Sequence, residues 1–180
     1  RAGDAPTAAL LRPAAGPADG ADSRALWSWR NSEQTRLASR TFDPVRWPDH
    51  LGWYRQVIAD PGRHLLIAEA GPADGTPADR RPAGMVRFDG TGPDWEISIN
   101  LAPATRGRRL AVPLLRAARE WLCTVVPGEY QILAQIRADN ERSIRSFQRA
   151  GWLPTGSAGG WLDLALVVPV RPGGGTPYAG

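Results

Sequence analysis

The sequence predicts an α/β domain with a mixed central β-sheet flanked by about four helices. Three observations carry this expectation. Apolar segments of strand length and helical patterns follow one another as strand, helix, helix, three strands, helix, strand, helix, strand. An alternating strand, Glu96 to Leu101, runs into a basic, glycine-bearing turn and then into a helical pattern of Leu110, Leu114, Leu115, Ala118 and Leu122. A second helical pattern, Asn140 to Ala150, is stopped by Gly151 and lies between two further strands.

In chain order, Leu10-Leu11-Arg12 is a short apolar run and reads as the first strand. Asp19 or Asp22 is placed to cap a helix through Leu26, Trp27, Trp29 and Arg30, which Asn31-Ser32 breaks. Trp47-Pro48-Asp49-His50 opens a second helix with Trp47, Leu51, Tyr54 and Ile58 on one stripe, ended by Asp60-Pro61-Gly62. Three strands then form an antiparallel meander: His64–Glu69, Met85–Asp89 and Asp94–Leu101. A Gly/Pro/Asp-rich connection from Gly71 to Pro82, expected to be exposed and mobile, joins the first two. The helix after the basic turn runs to about Val125, with Pro113 in its first turn, where a missing N–H costs little. Tyr130 to Arg137 is a strand in which Ile132, Ala134 and Ile136 alternate with other residues. A flexible loop holding Gly156, Gly159 and Gly160 precedes a last strand, Trp161–Val168. Residues 1–9 are expected to form a flexible segment, 10–170 a single domain, and 171–180 a disordered Gly/Pro tail.

Composition bounds the function. A chain of 180 residues is long enough for one domain with a real core. No apolar run approaches the roughly 20 residues needed to span a membrane, and the first residues do not resemble a signal peptide. The single cysteine, Cys123, has no partner for an internal disulfide, so a reducing cytoplasm is expected, with Cys123 as core packing. Two histidines and one cysteine argue against a metal site. The chain has no lysine, so all 22 of its basic residues are arginines, which bind phosphates through a planar fork. Between Arg106 and Arg149, nine arginines stand against four carboxylates, a larger excess than the +4 of the whole chain. An anionic cofactor or partner follows.

The basic turn is the place for that anion. A helix start presents free N–H groups, and the helix dipole favours negative charge there. The segment Arg106-Gly107-Arg108-Arg109-Leu110-Ala111 resembles the acyl-CoA-binding turn of the GNAT acyltransferases, usually Gln/Arg-x-x-Gly-x-Gly/Ala, with Arg109 in place of the inner glycine. The block Asn140 to Trp152 resembles the family's Asn-x-x-Ala/Ser-x-x-x-Tyr/Phe-x-x-x-Gly-Phe. The resemblance covers roughly Leu10 to Val168 and implies the GNAT fold.

It also implies roles. The acyl-CoA pyrophosphate would rest on the 107–111 amides, with Arg106 at the head of the motif and the Arg109 guanidinium available as a further contact. Leu101 N–H would polarise the thioester carbonyl, as an oxyanion donor does. Asn140 would hold the pantetheine arm, although a helix-cap role accounts for it equally. The family's general-acid tyrosine is here Phe147, which has no proton to give; water, Ser143 or Ser146 then serves, or the thiolate leaves unassisted. Independently of the family, Glu96, Ser98 and Asn100 share one face of their strand, and Glu96 is the candidate base, ahead of Asp94 and Asp89. The family's early helices line the acceptor site, which makes Trp27, Trp29, Arg30, Asn31 and His50 a candidate acceptor pocket. The Trp47/His50/Trp53/Tyr54 cluster otherwise reads as core.

The function expected is transfer of an acyl group, acetyl above all, from acyl-CoA to a primary amine of a small molecule. Several segments, among them Leu26-Trp27-x-Trp29-Arg30-Asn31 and Met85-Val86-Arg87-Phe88, resemble the amino-sugar N-acetyltransferases of pseudaminic-acid-type pathways, which implies a nucleotide-linked amino sugar or similar biosynthetic intermediate as acceptor. The alternative is a transferase of the same fold that uses an aminoacyl-tRNA, suggested by Arg142, Arg145 and Arg149 on one helical face. A non-catalytic binding domain is a third class. A homodimer is compatible with each.

Overall fold

The computed structural model describes residues 7–72 and 76–169. Among them, seven strands form one sheet: β1 (Thr7–Pro13), β2 (Arg63–Pro72), β3 (Arg81–Thr91), β4 (Asp94–Leu101), β5 (Tyr130–Arg137), β6 (Leu153–Ala158) and β7 (Trp161–Val168). Their spatial order is β1-β2-β3-β4-β5-β7-β6. Five helices accompany them: α1 (Ala21–Asn31), α2 (Glu33–Leu37), α3 (Trp47–Ala59), α4 (Ala111–Val125) and α5 (Glu141–Arg149). All neighbouring strands are antiparallel except β4 and β5, which run parallel and pair only at Trp95–Ile132 and Glu96–Leu133. This is the expected mixed sheet between helical layers.

Two cores sandwich the sheet. On one face Leu114, Leu115, Ala118 and Leu122 of α4 form the buried stripe read from the sequence and pack with Ile132, Ala134 and Ile136 of β5. On the other, α1 and α3 contribute Leu26, Trp29, Tyr54 and Val57 to a smaller cluster with Leu65 and Ile67. Strand β2 serves both: Leu66 and Ala68 face the first core, Leu65 and Ile67 the second, so its apolar run is buried on both sides. Arg12 binds Asp22 and Glu69, each at 2.7 Å, and ties β1, α1 and β2 together.

Several expectations change. β1 starts at Thr7, inside the segment expected to be flexible; residues 1–6 and the tail 171–180 lie outside the described residues. The Gly71–Pro82 connection is shorter than expected, since β2 runs to Pro72, a 3₁₀ turn spans Pro77–Asp79, and β3 starts at Arg81; residues 73–75 lie outside the described residues. Neither aspartate caps α1, whose N-cap is Gly20. Asp22 instead accepts from Ala15 N–H and from Arg12, whose hydrogen bonds hold its carboxyl below the usual range. The α3 stripe is rotated: His50, Tyr54 and Val57 are buried, while Ile58 is exposed. The glycine loop before the last strand is an edge strand, β6, with Gly159 and Gly160 (φ 57° and 80°) turning the hairpin.

Burial depresses the pKa of both histidines. His50 is enclosed by Trp47, Trp53 and Tyr54, and His64 stacks on Trp95 at 5.0 Å. The unfolded chain takes up protons at these sites as pH falls below about 6.5, and the folded chain resists them. Their stability contribution is therefore complete above that pH and declines below it. The thermal midpoint should fall between pH 7.5 and pH 5, and His64→Phe should flatten the slope; a wild-type midpoint constant over this range would contradict the assignment.

Candidate active site

Beyond Glu96 and Leu133 the parallel strands part, and a cleft of about 500 Å³ opens between them. Ile99, Asn100 and Leu101 form one wall, residues 106–112 the rim, and Asn140, Ser143 and Ser146 of the α5 segment the other wall. Ala102 N–H donates to Ala83 C=O at 2.8 Å, which makes Leu101 and Gly84 a non-hydrogen-bonded pair. The N–H and C=O of Leu101 itself therefore point away from β3, toward the gap. Gly84 permits this close backing, because a Cβ there would lie 2.7 Å from Asn100 C=O.

The turn carries a cluster of unpaired donors. Among the described residues the N–H groups of Gly107, Arg109, Leu110, Ala111 and Val112 have no hydrogen-bond acceptor; the first helical bond of α4 is Leu114 N–H to Leu110 C=O. No acidic residue occupies the first turn of α4. Arg109 sits at φ 58°, the only non-glycine residue with positive φ among those described. It holds the conformation that a glycine would adopt more readily, at a cost of about 1 kcal/mol, and its side chain lines the cleft. Beside it, Arg142 Nη2 lies 3.8 Å from where a Gly107 Cβ would stand. This arrangement fits an anion.

Arg106 plays a different part from its neighbours. Its guanidinium turns inward and donates to Leu101 C=O, Gln34, Ser32, Thr35 and Asn100, with Thr35 Oγ1 at 2.6 Å. Thr35 also donates to Asn100 Oδ1 at 3.1 Å. Burial, then the charge of Arg142, depresses the Arg106 pKa. Arg106 lines the cleft but spends its donors fastening the turn to β4 and α2.

Of the other expected residues, Leu101, Gly107, Arg109, Leu110, Ala111, Asn140 and Ser143 come together at the cleft. Asn140 is also the α5 cap, accepting from Ser143 N–H at 3.2 Å. Arg108 is exposed and outside the lining. Phe147 is buried in the core against Trp152, so it does not reach the cleft. Glu96 is exposed and also outside the lining. At about 3.3 Å per residue it stands roughly 16 Å along β4 from Leu101, too far for direct proton transfer there.

The candidate acceptor pocket is largely structural. Trp29 and His50 are buried, and His50 Nε2 is 3.0 Å from Ser23 Oγ. Asn31 clamps Val45 through both its N–H and its C=O, and Trp27 Nε1 donates to the same carbonyl. Arg30 donates to Thr41 at the surface of the 38–46 loop. The cleft is flanked on this side by Gln34, Thr35, Ala38 and Ser39 instead. Sequence reasoning missed them because α2 has only five residues; the polar run Ser32-Glu33-Gln34-Thr35-Arg36 was the available signal.

Residues 10–152 match the family model described as "Acetyltransferase (GNAT) domain". Among curated proteins no sequence matches. Solved structures share the fold. A domain from Methanocaldococcus jannaschii DSM 2661 is 18% identical, with TM-score 0.73 over 91% of this chain and 100% of that one. Spermidine N-acetyltransferase from Vibrio cholerae, in complex with CoA and spermine, is 14% identical, with TM-score 0.68 over 89% and 94%. Aminoglycoside acetyltransferase AAC(6')-Ib, in complex with ribostamycin and coenzyme A, is 21% identical, with TM-score 0.68 over 91% and 94%.

Two substitutions separate the roles of the turn arginines. Arg109→Gly should raise stability by about 0.5–1 kcal/mol by relieving the left-handed backbone. Arg106→Met should lower it by about 2 kcal/mol or more, leaving Leu101 C=O and Asn100 without their charged donor. Chemical denaturation of both variants checks the pair; a stabilised Arg106→Met would contradict the latch.

Proposed function

Because the chain belongs to the GNAT acetyltransferase family, we propose that it transfers an acetyl group from acetyl-CoA to the primary amine of a small molecule, with a nucleotide-linked amino sugar as the acceptor class. The observation that supports this most is the Leu101 N–H turned into a cleft whose rim holds five unpaired amides. In this reading the amides of Gly107, Arg109, Leu110 and Ala111 take the pyrophosphate, aided by the Arg109 and Arg142 guanidinium groups. Asn140 and Ser143 contact the pantetheine arm.

The amine nitrogen attacks the thioester carbonyl; the C–N bond forms, the C–S bond breaks, and the thiol of CoA is released. Leu101 N–H stabilises the oxygen that gains charge. The acceptor amine loses a proton, which a chain of several waters along Asn100 and Ser98 carries to Glu96, roughly 16 Å away along β4. With Phe147 in the core, the thiolate leaves unassisted or takes a proton from water or from Ser146 at the cleft wall.

Spermine and ribostamycin, bound by the two neighbours above, are polycations. The lining of this cleft holds Arg106, Arg109, Arg142, Arg145 and Arg149 and no carboxylate, so it offers a polycationic acceptor no counter-charge. A reducing, cytoplasmic setting belongs to the same reading, since Cys123 is the only cysteine. A homodimer is supported by β6, an edge strand exposed at all its positions. The same arginines motivate the second reading, an aminoacyl-tRNA donor.

Calorimetry with acetyl-CoA tests the donor. Saturable binding unaffected by RNase supports CoA; binding seen only with aminoacyl-tRNA overturns it. Arg109→Gly should raise the acetyl-CoA KM about 10-fold, the loss of one charge-assisted contact. Glu96→Gln should lower kcat roughly 10²-fold; wild-type kcat in this variant would remove Glu96 from the mechanism.

A further inference from the structure

Three buried side-chain atoms among the described residues lack a hydrogen-bond partner: Arg30 Nη1, Arg36 Nε and Asp89 Oδ1. Asp89 Oδ1 still has an ion pair, with Arg63 Nε at 3.3 Å. The other two belong to a pair of arginines on adjacent helices. Arg30 donates from Nη2 to Thr41, and Arg36 from Nη1 to Phe42 C=O, so the two reach neighbouring residues of one loop. Neither makes an ion pair among the described residues. The electrostatic field of Arg36, added to burial, depresses the Arg30 pKa, so the two charges oppose each other.

Two half-buried guanidinium groups without a counter-charge carry an unanswered electrostatic cost, and each orphaned donor requires an acceptor. Two further arginines stand at the 38–46 loop. Arg137, at the end of β5, lies 5.9 Å from the Phe42 ring, and Arg40 stands over Trp161 at 4.8 Å. Asp139 is the one carboxylate paired in this group, and it belongs to Arg137. The pair adjoins the cleft: Thr35, next to Arg36, lines it and is bonded to Asn100 of β4. Thr35 meets the polar face of β4 and is joined to the turn through Arg106, whereas Arg30 and Arg36 themselves lie outside the cleft lining.

We propose that Arg30 and Arg36 form a subsite for an anionic oxygen group, a carboxylate or a phosphate, carried by the amine acceptor. The proposal rests on the acetyl-transfer reading above and deepens it by naming what the acceptor must carry. One bidentate oxyanion supplies acceptors for both orphaned donors and cancels the repulsion between the two arginines. Both nitrogens are buried, so binding requires repacking around them, starting with the Thr41–Phe42 loop that the two arginines already hold.

Occupying the donor cleft first isolates the subsite. Inorganic phosphate and acetate, titrated separately into the CoA-saturated protein and followed by calorimetry, distinguish the two anions. At least one should bind saturably, and Arg30→Gln and Arg36→Gln should each weaken it 10-fold or more, with Arg36→Lys intermediate. No saturable binding of either anion, or equal binding by the variants, overturns the subsite. Rates give a second readout: glucosamine 6-phosphate against glucosamine, and 4-aminobutyrate against butylamine. The ratio of kcat/KM should favour the anionic member of one pair by 10-fold or more and fall toward one in Arg36→Gln. Preference for spermidine over every anionic acceptor overturns the subsite. CoA binding without anion discrimination removes this subsite and leaves acetyl transfer standing; anion binding without CoA binding does the reverse.

Discussion

The parallel pairing of β4 with β5 stops after two residues, and the chemistry of the molecule depends on that stop. Each strand is fully paired on its other edge, β4 with β3 and β5 with β7. The sheet is thus two well-bonded halves that touch at a vertex and then diverge. Breaking the ladder leaves backbone donors without partners, at about 1 kcal/mol or more each if nothing replaces them. The same omission leaves Leu101 N–H pointing into space that a substrate can fill. In the acetyl-transfer reading proposed above, a donor fixed by the β3–β4 ladder needs little reorganisation when charge develops.

A second constraint holds the rim in place. Arg106 bridges the end of β4, the turn and α2 through one guanidinium. Its planar array of donors suits this task better than a lysine would. With Arg106 committed inward, Arg109 and Arg142 remain to line the cleft. Arg106 and Arg109, three residues apart, therefore divide into a fastener and a cleft-lining side chain, a division fixed by backbone direction.

How much of this was legible follows from where each signal resides. β4, β5 and β7 span the residues expected of them: β5 alternates buried and less buried positions throughout, and β7 is an apolar run bounded by turn glycines on one side. β6 was not visible: Leu-Pro-Thr-Gly-Ser-Ala on a solvent-facing edge has no buried face to generate a pattern. His50 was misplaced toward the acceptor site because its hydrogen-bond partner, Ser23, lies on another helix. Phe147 was placed by family pattern, and only packing against Trp152 shows that its ring faces the core. Arg109 was correctly seen as a substituted glycine, but its left-handed backbone depends on the turn as a whole. The cleft itself was legible through its turn; its α2 wall, made by a helix too short for periodicity to reveal, was not.

An enzyme that handles activated acetyl groups must protect itself from them. The cleft is lined by arginines, and the chain contains no lysine. A protonated guanidinium is a poor nucleophile, so an arginine can stand beside an acyl thioester without attacking it. No side-chain amine of this chain competes with the acceptor. Its positive surface is consequently indifferent to the acetylating reagent it concentrates, and its charge does not decline through self-acetylation with successive turnovers.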